Sequence, residues 1–168
     1  MATTDVQTFT TSLADLDVSV SRTDAATAPA AIDEAAVDPA IGAALDIEGI
    51  SLADTAVETE LTPRGLHEAE TGVTRADRAV AAYGSLLIRS DDGGTEPLSL
   101  YPPNHVAVLR ASDVCDDVEA SVDRLDEIFG SGGSAVLATG ASSTGDMGAL
   151  VEGVHGPKHV HVVLVEDR

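Results

Sequence analysis

Apolar side chains recur along the chain in two rhythms. A spacing of three to four residues predicts helix; short unbroken runs predict strands buried on both faces. Val6, Phe9, Leu13 and Leu16 fall at helical spacing and predict an opening helix, and residues 18–20 read as a short strand. Residues 23–39 are Ala-rich and carry two prolines, so they read either as a solvated helix started near Pro29 or as a poorly ordered connector. Residues 40–45 and 47–52 are brief apolar runs, read as buried strands or turns. Thr62-Pro63 opens a helical turn that carries Leu66 and Ala69. Thr74 then reads as a helix N-cap, with Asp77 three residues on and Ala76, Ala79, Val80 and Tyr83 at helical spacing, before Gly84 ends the helix.

The second half alternates more clearly. Residues 86–88 form a continuously apolar strand, and Asp91-Asp92-Gly93-Gly94 is a strong turn signal. Residues 98–101 read as another strand, stopped by Pro102-Pro103, and residues 106–109 as a third, with His105 at its edge. Asp116 and Asp117 lead an amphipathic helix with Val118, Val122, Leu125 and Phe129 on one face, closed by the glycine-rich residues 130–133. Residues 135–137 and 160–165 are strands flanking a loop over 139–148. Short apolar strands alternating with helices predict an α/β fold: a buried, mostly parallel sheet covered on both faces. The 168 residues suit one domain, with residues 61–168 carrying the clear signal and residues 1–60 the weak one.

Charge changes the picture. Acidic residues number 29 and basic ones 9, for a net charge of −20, and Lys158 is the only lysine. Such a chain repels phosphate backbones, so nucleic-acid binding through a basic face is excluded as an expectation. No polybasic stretch and no apolar run of membrane-spanning length occurs, so no membrane insertion is expected. With 43% hydrophobic residues and a mean hydropathy of +0.10, the chain is too apolar for wholesale disorder. The acidity reads as adaptation to high salt, which screens repulsion between carboxylates. One cysteine, Cys115, forms no internal disulfide and fits a reducing compartment, and the first twelve residues lack the features of a signal peptide, so the expected location is the cytoplasm.

The best candidate chemistry lies in residues 138–165. A strand runs into Thr139-Gly140, then Ser142, Ser143, Thr144 and Asp146. Hydroxyls and free N–H groups at such a turn suit a carboxylate or phosphate; the same pattern also serves as a plain helix N-cap. The ligand rule for doubly wound sheets, which places sites at the carboxyl ends of strands, adds weight to this loop. It is not a P-loop, since no Gly-Lys-Ser/Thr follows. His155, His159 and His161 are close enough in sequence to suggest a metal, but no spacing fixes a geometry, and strand or turn roles serve them as well. His105 reads as a base, a carboxylate partner or a strand-edge histidine. Cys115 is hemmed by Asp113, Asp116 and Asp117, which oppose a thiolate. With no Cys-x-x-Cys, the chain holds no all-cysteine iron–sulfur cluster.

Three stretches together resemble the lactate-utilisation (LUD) domain family: EAETGVTRADRAVAAYGSLLI (68–88), LSLYPPNHVAVL (98–109) and TGASSTGDMGALVEGVHGPKHVHVVLVED (139–167). The resemblance implies an open three-layer α/β sandwich like the NagB/RpiA/CoA-transferase group. It implies an accessory subunit of a system oxidising L-lactate to pyruvate, with iron–sulfur and cysteine-rich partner subunits and no cofactor bound by this chain. Gly72, Thr74, Gly84, Ser85, His105, Ser142, Thr144, Asp146, His155, Gly156, Pro157 and His161 match the family pattern. Of these, Thr74, Gly84, Ser85, His105, Ser142, Thr144, Asp146, His155 and Gly156, joined by Gly140 from the turn itself, are the expected ligand-binding residues for a small carboxylate or phosphate-bearing molecule. The chain departs from the family at Ser143, where an arginine is common, at Gly145-Asp146-Met147-Gly148, where Ala-Asp-Ile-Glu is common, and at Tyr83, where Thr is frequent. The departures keep two alternatives open: a CoA-transferase- or ligase-like enzyme, and a non-catalytic ligand-binding or interaction module.

A net charge of −20 carries its own test. The melting temperature is expected to fall when NaCl is lowered from about 1 M, where the Debye length is about 3 Å, to about 0.1 M, where it is about 10 Å. An unchanged melting temperature contradicts the high-salt reading.

Overall fold

A strand that is apolar at nearly every position needs cover on both faces, and two such strands set the architecture. The computed structural model describes residues 2–142 and 155–166. Its helices are α1 (Ala2–Asp15), α2 (Ala28–Ala35), α3 (Pro63–Glu68), α4 (Thr95–Leu100) and α5 (Val122–Gly130). Its strands are β1 (Ser19–Thr23), β2 (Ala40–Gly42), β3 (Thr71–Arg75), β4 (Arg78–Val80), β5 (Ser85–Arg89), β6 (Asn104–Arg110), β7 (Val114–Cys115), β8 (Ala135–Thr139) and β9 (His159–Val165). β6 and β9 are the continuously apolar pair, and they lie inside a five-stranded parallel sheet of order β1-β9-β6-β3-β2.

Strand alternation divides this sheet cleanly. Ala107 and Leu109 of β6 and Val160, Val162 and Leu164 of β9 meet Val6, Phe9 and Leu13 of α1 on one face. Val106, Val108, Val163 and Val165 meet Ala28 and Ile32 of α2, with Leu45, Ile47 and Ile50, on the other. The fold is therefore α/β, with a mostly parallel central sheet between helices. A second sheet, of order β7-β4-β5-β8, packs Leu86 and Ile88 into the α1 side. It is mostly antiparallel: β5 pairs antiparallel with both β4 and β8. The first 60 residues supply α1, α2, β1 and β2 to this same core, β1 pairing with β9 and β2 with β3.

Three expected elements are corrected. Residues 74–83 do not form a helix. Thr74 sits inside β3, and Ala79 and Val80 lie in β4. Ala76, Ala79, Val80 and Ala81 are all fully buried where the chain passes from one sheet to the other. Burial on all sides imitates helical spacing. Residues 98–101 are not a strand, because α4 covers them up to Leu100. Asp91 starts that helix by accepting from Thr95 N–H at 3.0 Å and Thr95 Oγ1 at 2.6 Å, and Pro97 falls in the first turn, where its missing N–H costs nothing. The helix expected from Asp116 begins at Val122, and its apolar face points outward: Val122 is 51% and Phe129 55% exposed, while Ile128 is buried. Residues 28–35 resolve the open choice for the Ala-rich stretch, forming a packed helix with Ala28 and Ile32 buried.

α4 crosses β3 at a point only glycine allows. A Cβ on Gly72 would lie 1.9 Å from Leu98 O and 2.8 Å from Leu98 C, both backbone atoms. Gly72→Ala should therefore destabilise the protein by about 1–3 kcal/mol, the usual range for overpacking. Gly130→Ala, with nothing within 4 Å of the added atom, should be neutral or slightly stabilising in urea denaturation. Equal stabilities for Gly72→Ala and wild type would rule out this close approach.

Candidate functional site

The parallel register sets Gly72 opposite His105 and His105 opposite Val160. His105 is the second residue of β6, and its side chain is 2% exposed. The Oγ1 of Thr74, itself fully buried, lies 2.8 Å from His105 Nε2. Among the described residues, Thr74 is the only group that hydrogen-bonds the ring. Burial pushes the imidazole from its ordinary 6.5 down to about 4, so it is neutral at pH 7. With Thr74 donating to Nε2, the neutral ring carries its proton on Nδ1 as a hydrogen-bond donor. With Nε2–H donating to Thr74, Nδ1 is an acceptor and a weak base.

His105 borders a cavity of about 20 Å³ that also touches Leu13, Ser99, Gly84, Gly140 and Pro157. That volume holds one water molecule. Two turns form its wall. Gly84 and Gly140 both have positive φ, +66° and +68°, and both pack under the end of α1. A Cβ on Gly84 would come within 2.9 Å of Leu16 Cδ1 and 3.2 Å of Ser12 C. Beside these turns the hydroxyls of Ser85 and Thr139 lie 2.7 Å apart and tie β5 to β8. Ser142 N–H donates to Pro157 O at 2.8 Å, while Ser142 Oγ accepts from His155 N–H at 3.2 Å. Gly156 lies against Ser142, where an added Cβ would be 3.4 Å from Ser142 Cβ.

The structure thus brings Gly84, His105 and Gly140 onto one cavity, with Thr74 behind the imidazole. Ser85 joins through Thr139; Ser142, His155 and Gly156 join around Pro157. Thr144 and Asp146 lie outside the described residues. The lining residues Leu13 and Ser99 were not anticipated as site residues. Leu13 signalled only a helix face, and Ser99 was hidden by the strand reading of 98–101. One warrant for the loop is also corrected. It follows β8, which belongs to the second sheet, whereas the central-sheet residues that line the cavity, His105 and Val160, lie at the amino ends of β6 and β9. The carboxyl-end rule for parallel sheets does not apply to it.

The histidines near the end of the chain separate. Ser19 Oγ lies 2.7 Å from His161 Nδ1 and Ser21 Oγ 2.5 Å from Nε2, so this ring pins β1 to β9 on the face opposite His105. Burial lowers its pKa, and nearby Glu34 acts the other way. No group of three His, Cys, Asp or Glu residues among those described is placed to hold a metal ion. Cys115 Sγ donates to Ala79 O at 3.2 Å. Burial pushes the Cys115 thiol pKa up, Arg78 opposes this, and Asp117 and Asp116 add to the rise, so the net shift favours the thiol over the thiolate.

These features define an α/β domain whose central parallel sheet carries a neutral, buried imidazole at its amino edge. The LUD domain model matches residues 6–165, and the chain belongs to that family. It is 29% identical over 110 residues to lactate utilization protein C of Deinococcus radiodurans, covering 64% of this chain and 52% of that protein. It is 30% identical over 112 residues to lactate utilization protein C of Halalkalibacterium halodurans, covering 60% of this chain and 46% of that protein. The chain thus spans about half the length of these relatives. The crystal structure of a DUF162 family protein from Deinococcus radiodurans matches with a TM-score of 0.77 at 22% identity, over 98% of each chain, and shares the fold.

The buried imidazole makes stability depend on pH. The unfolded chain binds a proton near pH 6.5 that the folded chain refuses until about pH 4. This contribution is complete above pH 6.5 and is lost as pH falls toward 4, for a total of roughly 3 kcal/mol. Wild type should therefore lose more stability between pH 7 and pH 5 than His105→Asn. The ring's NMR resonances should report a neutral imidazole at pH 5.5; titration near 6.5 would contradict the burial.

Proposed function

We propose that the chain acts in L-lactate utilisation, as a cytoplasmic accessory subunit of a system that oxidises lactate to pyruvate. Its own task is to bind a small carboxylate or phosphate-bearing ligand at the His105 crevice. The pathway is supported by family membership and by the naming of relatives as lactate utilization protein C. The lone cysteine supports placing the iron–sulfur clusters in cysteine-rich partner subunits. Among the described residues, no helix is long and apolar enough to cross a membrane.

One observation carries the binding role: His105 is uncharged, held at Nε2 by Thr74, and borders a cavity the size of one water. Such a cavity takes a single oxygen atom. With Thr74 donating to Nε2, a carboxylate or phosphate oxygen occupies this cavity and accepts from Nδ1–H, while the rest of the ligand stays outside it beside Gly140.

Thermal denaturation in molar NaCl with L-lactate, pyruvate or inorganic phosphate tests the site. A ligand at about 100 times its Kd adds about 2.7 kcal/mol of stability, and His105→Asn should weaken it about tenfold, the loss of one hydrogen bond to a charged group. Deletion of the gene should abolish growth on L-lactate as sole carbon source. Undiminished growth refutes the pathway, and no stabilisation by any of the three ligands refutes the site.

A further inference from the structure

Five of the nine basic residues of this −20 chain pair with its own carboxylates. Arg22 pairs with Glu166, Arg64 with Glu68, Arg75 with Asp77 and Asp113, Arg110 with Asp113, and Arg124 with Asp77 and Glu127. Lys158 is exposed and forms no ion pair with any described residue. Its position is fixed, because its backbone N–H donates to Pro103 O at 2.7 Å. Pro157 before it and Val160 two residues after it both line the His105 cavity. Lys158 is the residue just before β9, so its backbone sits at the amino edge of the sheet between two residues of the cavity wall.

We infer that Lys158 is the cation that selects an anionic ligand at this mouth. The inference rests on the proposed carboxylate- or phosphate-binding role of the crevice. The imidazole receives one oxygen, and a second oxygen of the same group projects outward to the ammonium. A surface this acidic repels anions at low salt. In molar salt the Debye length is about 3 Å, so long-range attraction does not operate and only a cation at contact range discriminates. An ammonium on a flexible stem, anchored at its backbone and uncommitted to any described carboxylate, meets that requirement.

The test is calorimetric titration of wild type, Lys158→Gln and Lys158→Arg in molar NaCl with L-lactate and its uncharged analogue L-lactamide. Lys158→Gln should weaken L-lactate about tenfold, as expected for one charge-assisted hydrogen bond, and leave L-lactamide within about twofold of wild type. Lys158→Arg should retain most of the L-lactate affinity. Unchanged L-lactate affinity in Lys158→Gln overturns the assignment, as does an equal loss for both ligands, which would mark a structural effect. If wild type binds none of L-lactate, pyruvate and inorganic phosphate, the crevice is no anion site, and the assignment falls with that reading.

Discussion

The parallel register of β3, β6 and β9 is the constraint on which the remaining structure depends. Side chains alternate with a period of two, so a slip of one residue would turn His105 toward α2 and Val106 toward α1. In the observed register each residue of Gly72-Val73-Thr74 has a distinct task. Gly72 leaves room for the backbone of α4, with Leu98 O where a Cβ would stand. Val73 joins Val106 and Val163 in the core on the other face. Thr74 reaches the ring of His105. Burying an imidazole among aliphatic side chains disfavours its charged form, and the threonine hydroxyl offsets part of that cost without adding a charge.

Much of the fold was legible because a strand buried on both faces has an unmistakable sequence. Residues 106–109 and 160–165 are apolar at nearly every position, and they form the middle of the sheet. Other segments failed for identifiable reasons. Ala76, Ala79 and Val80 are buried between two sheets rather than along one helix face, and periodicity does not distinguish the two cases. Leu98 to Tyr101 is a short apolar run of the kind that strand and helix share. The overlooked signal was Asp91, four residues before Thr95, together with a proline tolerated only in a first helical turn. In α5 the helix itself was legible, but Ile128 rather than Phe129 faces inward. Amphipathic spacing says that a face exists; it does not say which neighbouring layer is there to meet it.

The site was legible in part, and unevenly. Gly140 was legible as a turn, whereas Gly84 was read as the end of a helix that does not form; both adopt positive φ. What no local pattern conveyed is that both turns lie under the last turn of α1, against Ser12 and Leu16, from the stretch with the weakest sequence signal. Ser12 Oγ also donates to Ala81 O at 2.8 Å, so the opening helix is fastened directly to the chain leading into Gly84. Distance along the chain hid this contact. The carboxyl-end rule misled for a related reason: it presumes that every strand belongs to one parallel sheet, and β8 does not.

The two edges of the central sheet differ in their ionic character. At the carboxyl ends, Arg75 closes β3 and Arg110 closes β6. Arg110 grips Asp113 through Nε and a terminal nitrogen at 2.9 and 3.0 Å, and Arg124 reaches Asp77 at 2.9 Å. The side chains of Asp77 and Asp113 are only 10% and 16% exposed, so these pairs are less screened than ordinary surface pairs. The knot is imperfect, with Arg75 Nε buried and unbonded at 3.6 Å from Asp77 Oδ1. Even so, its guanidinium groups are matched by carboxylates of the same chain, and an incoming anion would have to displace them. The amino edge has the opposite character. Its buried titratable group among the described residues is the neutral imidazole of His105, and Lys158 there pairs with no described carboxylate. An anion entering there would break no ion pair among the described residues, whereas one entering at the carboxyl edge would have to displace the carboxylates of Asp77 and Asp113.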